Sequence, residues 1–230
     1  MKIITFFSEK GGVGKTTISV LFASFLAYYK KETVAMIDFD FPSYQLHHIR
    51  LTDESNLRDP KNAALLREAA LNTPYRMIPF NISGKVTQKN LEEAKAVISN
   101  LRDKKDGYVI CDFPGSFRDG DILQTLAYDG LIDFITYIAD SDRQSILSAL
   151  NINSAIRRNV TKKGGQQCAV LWNRETQSER RAEKEGKRDW YETPSRAFRS
   201  VNIPVLSTRM RDINIARRDS DTFGFIRTTY

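Results

Sequence analysis

Short apolar runs punctuate this chain, and stretches with helical spacing lie between them. Ile3-Ile4-Thr5-Phe6-Phe7, Val34-Ala35-Met36-Ile37 and Tyr108-Val109-Ile110-Cys111 are too short for helices and rich in β-formers, so they read as buried strands. The same reasoning predicts strands at 2–8, 33–38, 75–79, 107–112, 132–139, 166–172 and 203–206. Helical periodicity predicts helices at 15–30, 60–71, 87–103, 121–129, 142–158 and 191–200. In the fifth of these, Ile146, Leu147, Leu150, Ile152 and Ile156 form the expected core face. Residues 41–60 lack a period and read as a loop, and the charged run 174–190 reads as an exposed helix or a mobile loop. Strand and helix alternate throughout. That order calls for an α/β fold with a mostly parallel, twisted sheet covered on both faces, in one domain over 1–230.

Composition narrows the class. A hydrophobic share of 41% suits a globule with a sizeable core. No apolar run is long enough to predict a membrane span. The chain enters its first strand at once, so no signal peptide is expected and a cytoplasmic setting follows. Cys111 and Cys168 fall in predicted strands and read as reduced packing residues. Charge is uneven: 1–150 carry 18 Lys/Arg against 19 Asp/Glu, whereas 151–230 carry 17 against 9. Pairs such as Arg157-Arg158, Arg180-Arg181 and Arg217-Arg218, with Arg209 and Arg211, give the C-terminal third the footprint of a phosphate-backbone binder.

The densest chemistry follows the first strand, in Ser8-Glu9-Lys10-Gly11-Gly12-Val13-Gly14-Lys15-Thr16-Thr17. The spacing G-x-x-x-x-G-K-[ST] is met except at its first glycine, where Glu9 stands. Gly11, Gly12 and Gly14 let the backbone take positive φ and approach phosphate oxygens closely. Successive N–H groups then form an anion nest at the start of a helix. Lys15 is expected to reach the β- and γ-phosphates, and the Thr16 hydroxyl to ligate Mg²⁺. ATP and Mg²⁺ are the cofactors this loop implies.

Two further boxes follow in order. Ile37-Asp38-Phe39-Asp40 ends a strand in two carboxylates that alternate onto one side, a pairing that is costly without a cation. Cys111-Asp112-Phe113-Pro114-Gly115 caps a buried strand with an aspartate suited to hold Mg²⁺ through water, followed by a sharp turn where the γ-phosphate is sensed. Trp172-Asn173-Arg174 follows a later strand.

Lys10-Gly11-Gly12-Val13-Gly14-Lys15-Thr16-Thr17 resembles the deviant Walker A box of the ParA/MinD ATPases, closest to the ParA type. The resemblance implies a P-loop NTPase fold in which Lys10 crosses a nucleotide-sandwich homodimer to the phosphates held by the other subunit. It implies that Asp40 positions the attacking water, that Asp38 supports the metal shell, and that Asn173, with Arg174 beside it, meets the adenine edge. The loop itself, Lys10 to Thr17 with Val13 included, is the implied phosphate site, and Lys10, Lys15 and Asp40 are the implied catalytic set. Arg209 and Arg211 occupy the place of a second adenine wall. One departure stands out: where partition members continue Asp-Pro-Gln, this chain reads Asp40-Phe41-Pro42-Ser43-Tyr44-Gln45, one residue longer between the aspartate and the proline.

By that resemblance the expected function is a switch in which ATP and Mg²⁺ drive dimerisation and hydrolysis is weak. The dimer is expected to bind DNA without sequence preference through the basic C-terminal third, for plasmid or chromosome partition. A ParB-like or cargo adaptor is the implied protein partner, with nucleoid association in the ATP state and no membrane. Two alternatives stay open: an accessory positioning or conjugation ATPase acting on a protein cargo, and a metabolic ligase-like P-loop enzyme.

Overall fold

A computed structural model of the chain describes residues 1–49, 76–80, 82, 85–104, 106–161, 166–187 and 189–211. Seven strands form one sheet: β1 (Lys2–Phe7), β2 (Val34–Asp38), β3 (Arg76–Pro79), β4 (Tyr108–Asp112), β5 (Phe134–Ala139), β6 (Gln167–Glu175) and β7 (Val205–Arg211). Their spatial order is β3-β2-β4-β1-β5-β6-β7, and each neighbouring pair is parallel. Between them run α1 (Lys15–Ser24), continued by a π-helical turn over Phe25–Tyr29, and α2 (Gln88–Arg102), α3 (Ile122–Tyr128), α4 (Arg143–Asn159), α5 (Gln177–Lys184) and α6 (Glu192–Ser200). The expected helix at 60–71 lies outside the described residues, as does the C-terminal stretch from 212.

The strands are apolar on both sides because both faces are covered. Along β1, Ile3 and Phe7 join the larger core, built with α2, α3, α4 and α6 through Ile98, Leu126, Ile152 and Phe198. Ile4 and Phe6 point the other way and pack with Val20 and Ala23 of α1 and Leu26 of the π-helical turn. The same alternation sends Ile37 and Cys111 to the first core and Met36 and Ile110 to the second. β1 lies between β4 and β5, so its C-terminal end opens into the middle of the sheet edge where the phosphate loop emerges.

Several boundaries move from the expected ones. β6 continues to Glu175, which places Asn173 and Arg174 inside the strand rather than after it. β7 begins at Val205 and runs to Arg211, so Arg209 is a strand residue. The charged run after β6 is helical: Thr176 caps α5 in a reciprocal box with Glu179, and no residue of that helix is buried. In α4, Ile152 and Ile156 are core as expected, but Leu147 is turned outward at 44% exposure. Cys111 is buried, whereas Cys168 is only half-buried.

Ile110, fully buried on central β4, tests the second core. Ile110→Ala is expected to cost about 3 kcal/mol, read as a lower urea midpoint at unchanged slope. Thr87→Ala, which removes the cap box of α2, is expected to cost about 1 kcal/mol.

Candidate nucleotide site

The phosphate loop spans the gap between β1 and α1. α2, α4 and α5 each begin with a side-chain cap, from Thr87, Asp142 and Thr176 respectively. α1 does not: its N-cap is Gly14 in the left-handed conformation, φ 95°, with no side-chain bond. The first helical N–H groups are thus left for an outside acceptor. Gly14 is required twice over, by its φ and because a Cβ there would lie 2.8 Å from the Asn173 amide nitrogen.

Three carboxylates and two lysines surround this loop. Asp112, at the end of β4, is fully buried. One of its oxygens accepts a 2.7 Å bond from the Thr16 hydroxyl, while the other is buried with no hydrogen-bond partner. Burial pushes its pKa up to about 7; the Thr16 bond and Lys15 oppose the shift, and the charges of Asp38 and Asp40 add to it. An orphaned buried carboxylate oxygen beside a threonine hydroxyl is a donor set that suits a small, oxygen-seeking cation. Thr16 and Asp112 therefore fit Mg²⁺. Lys15 is itself pulled below the usual lysine value by burial, with Asp112 and Asp40 acting against that fall.

Asp38 and Asp40 play different parts despite their shared side of the strand end. Both oxygens of buried Asp38 accept backbone N–H groups, from Asp40 at 3.0 Å and His47 at 3.0 Å. Burial raises its pKa and those two bonds partly offset the rise. Asp38 therefore anchors the longer loop that follows β2. Asp40 is half-buried and accepts 2.8 Å from the Ser43 hydroxyl.

Lys10 is engaged by two acids outside the loop. Its ammonium pairs with Asp140 at 2.6 Å and Asp142 at 3.2 Å, in the turn between β5 and α4. Burial lowers its pKa, but the bonds to both aspartates outweigh that, and the net shift is upward. These two acids escaped the sequence reading. Their signal was there, as Asp140-Ser141-Asp142 at a strand end directly before a helix.

Two of the remaining expected residues bond directly to the loop, and Arg209 is engaged away from it. Asn173, buried, donates to the Val13 carbonyl at 2.6 Å, and Arg174 donates to the Gly12 carbonyl at 2.8 Å. Gly115 abuts the loop from the β4 side: a Cβ there would meet Glu9 O at 3.2 Å and Lys15 Nζ at 3.2 Å. Arg209 stacks over Tyr191 at 4.5 Å and pairs with Glu183 at 2.5 Å and Glu175 at 3.3 Å. Among the described residues, no helix is long and apolar enough to cross a membrane.

Residues 4–174 match the family model described as the CobQ/CobB/MinD/ParA nucleotide binding domain. Among characterised sequences, the septum site-determining protein MinD of Neisseria meningitidis is 30% identical over 157 residues, covering 62% of this chain and 57% of its own length. An uncharacterized ATP-binding protein of Methanocaldococcus jannaschii is 31% identical over 144 residues, covering 61% of this chain and 53% of its own. The chain thus spans a little over half the length of these curated relatives. Among solved structures, the MinC:MinD complex of Aquifex aeolicus superposes with a TM-score of 0.64 at 16% identity, covering 100% of this chain and 95% of that one. A Borrelia burgdorferi plasmid partition protein bound to AMPPNP gives 0.59 at 17% identity, covering 99% and 98%. The pNOB8 ParA bound to nonspecific DNA gives 0.51 at 18% identity, covering 98% and 95%. At such identities these superpositions speak to the fold.

The Asp112 carboxylate generates a prediction. Asp112→Asn removes an uncompensated buried charge, so the ligand-free protein is expected to gain roughly 1 kcal/mol or hold its stability. The same variant is expected to lose Mg²⁺-dependent nucleotide binding. Thermal melts with and without Mg²⁺ and ATP check both halves.

Proposed function

This chain belongs to the CobQ/CobB/MinD/ParA nucleotide-binding family, and on that premise we propose a ParA-like switch in which ATP and Mg²⁺ drive two copies together and slow hydrolysis releases them. The observation that carries this reading is the position of Lys10. A lysine beside the phosphate loop is paired with Asp140 and Asp142, across 130 residues in the first case, and is not committed to its own loop. Half-buried, it keeps access to solvent, and exchange of those bonds would free its ammonium for a second molecule's ligand. An ammonium supplied by a neighbour neutralises triphosphate charge only in the assembled pair, which makes ATP the condition for assembly.

Within one copy, Lys15 draws charge from the β- and γ-phosphates. Thr16 and Asp112 would hold Mg²⁺, which would supply positive charge to the triphosphate. Asp40 orients the attacking water, and Asp38 supports it by fixing the loop that begins there. The close packing of Gly115 on Lys15 and Glu9 gives the γ-phosphate a mechanical link to the segment after β4.

The DNA half of the proposal falls on fewer cations than the charge count suggests. Arg209 is held by Glu183 and Glu175, Arg181 and Lys187 by Glu185, and Arg196 and Arg199 by Glu192. Arg180 and Lys184 stand four residues apart on exposed α5 and carry no ion pair among the described residues. With Arg157 and Arg158, exposed in the last turn of α4 and likewise without an ion pair among the described residues, they are available to a phosphate backbone. Lys162, Lys163, Arg188, Arg217 and Arg218 lie outside the described residues.

One observation favours a second reading, the metabolic ligase. A cleft of about 510 Å³ opens beside the loop after β4, lined by Phe39, Phe41, Ile82, Phe113, Pro114 and Arg118 among others. Turnover that depends on a small carboxylate substrate, with no ATP-driven change in size, is the result that selects it.

Two experiments test the switch. Light scattering with ADP, ATP and a non-hydrolysable analogue is expected to show a dimer only with triphosphate, and none for Lys10→Ala or Lys15→Ala. A monomer under every condition defeats the proposal. DNA retention is expected to require ATP and to fall steeply with salt, and Arg180→Ala with Lys184→Ala is expected to reduce the log–log salt slope by about 2 per chain.

A further inference from the structure

Two consecutive residues of β6 hold two consecutive carbonyls of the phosphate loop. Asn173 donates to Val13 O at 2.6 Å, and Arg174 to Gly12 O at 2.8 Å. In a planar trans peptide the C=O and the following N–H point in opposite directions. The Gly12 carbonyl shares its peptide with the Val13 N–H, and the Val13 carbonyl shares its peptide with the Gly14 N–H. Anchoring both carbonyls on β6 therefore turns both N–H groups away from β6. Among the described residues, no group accepts a bond from the Val13 or Gly14 N–H.

The anchor is needed because the loop is poor in other restraints. Gly11 and Gly12 are exposed, and glycine backbone loses much freedom when fixed. N–H groups turned to the same side also repel one another until an anion arrives. Arg174 itself sits at φ 65°, a left-handed conformation that costs a non-glycine residue energy. That backbone sets its guanidinium on the loop at the expense of local comfort, while the preceding side chain, Asn173, fits against Gly14 where any Cβ would collide.

We infer that Arg174 and Asn173 are positioning residues that preform the anion nest by gripping its carbonyls, so that they govern affinity for polyphosphate whatever base is attached. This deepens the proposed nucleotide site and rests on triphosphate binding at the loop. It departs from a base-reading role for the same pair. A contact to adenine acts on the nucleoside, whereas the grip acts on the phosphate chain.

The test compares wild type, Arg174→Gly and Arg174→Lys in the full chain. Three quantities are measured: affinity for Mg²⁺-ATP, affinity for Mg²⁺-tripolyphosphate, which carries no base, and the ligand-free melting temperature. Glycine suits φ 65° and removes the guanidinium. Arg174→Gly is expected to weaken both ligands by the same factor, about tenfold, with the melting temperature unchanged or raised. Arg174→Lys is expected to recover part of both affinities, since an ammonium can still reach one carbonyl. Tripolyphosphate affinity unchanged in Arg174→Gly overturns the inference, and a loss confined to ATP moves Arg174 to the nucleoside. A lowered melting temperature matching the affinity loss makes the arginine a brace of the fold and also overturns it. Wild type binding neither ligand defeats the nucleotide site itself, and the grip with it.

Discussion

A buried carboxylate with an unpartnered oxygen is among the most costly groups a protein interior can hold, and Asp112 is one. The expense is compounded by two more acids close enough to raise its pKa further. Neither lysine of the loop cancels it by direct contact. Lys10 is paired elsewhere, and Lys15 acts on Asp112 at longer range. Such an arrangement is destabilising in the free protein and becomes favourable once a cation arrives with its own negatively charged ligand. The elements around it share that logic. α1 opens without a side-chain cap, the glycine loop faces outward with open donors, and the turn after β4 closes over Lys15. Local stability is given up at one edge of the sheet, and the two apolar cores on its faces carry the difference.

Much of this was legible in the residues. Continuous apolar runs such as Ile3 to Phe7 announce a strand buried on both faces, and their alternation with helical stretches announces parallel pairing. The phosphate loop was legible because its chemistry needs glycine, lysine and threonine at fixed spacing along a single segment. What stayed hidden depends on distance in sequence. Lys10 meets Asp140 across 130 residues, and Arg174 meets Gly12 across 162. No local pattern records which acid a lysine will find, or whether a strand-end side chain turns to a base or to a backbone carbonyl.

Boundaries failed for a similar reason. The apolar run ends before Asn173 and Arg174, which places them after their strand, yet β6 pairs onward to Glu175 opposite Arg211, through irregular register. Arg209 counted toward a basic surface, but strand pairing brings Glu175 beside it and α5 brings Glu183. Net charge is a property of composition. Available charge is a property of topology, and on this chain the two differ most in the C-terminal third.

The strand order has a temporal meaning as well. β1 leaves the ribosome first, but its hydrogen-bonding partners are β4 and β5, with Lys2 opposite Tyr108 and Ile4 opposite Phe134. The chain from Phe7 through Tyr108 must be made before either edge of that apolar ribbon is satisfied. Long-range parallel pairing of this kind slows folding and leaves sticky backbone uncovered in the interim. The segment that carries the phosphate loop is therefore also the one most dependent on shelter during synthesis, and conditions that slow translation or withdraw chaperones should cost this protein yield well before they touch the activity of molecules already folded.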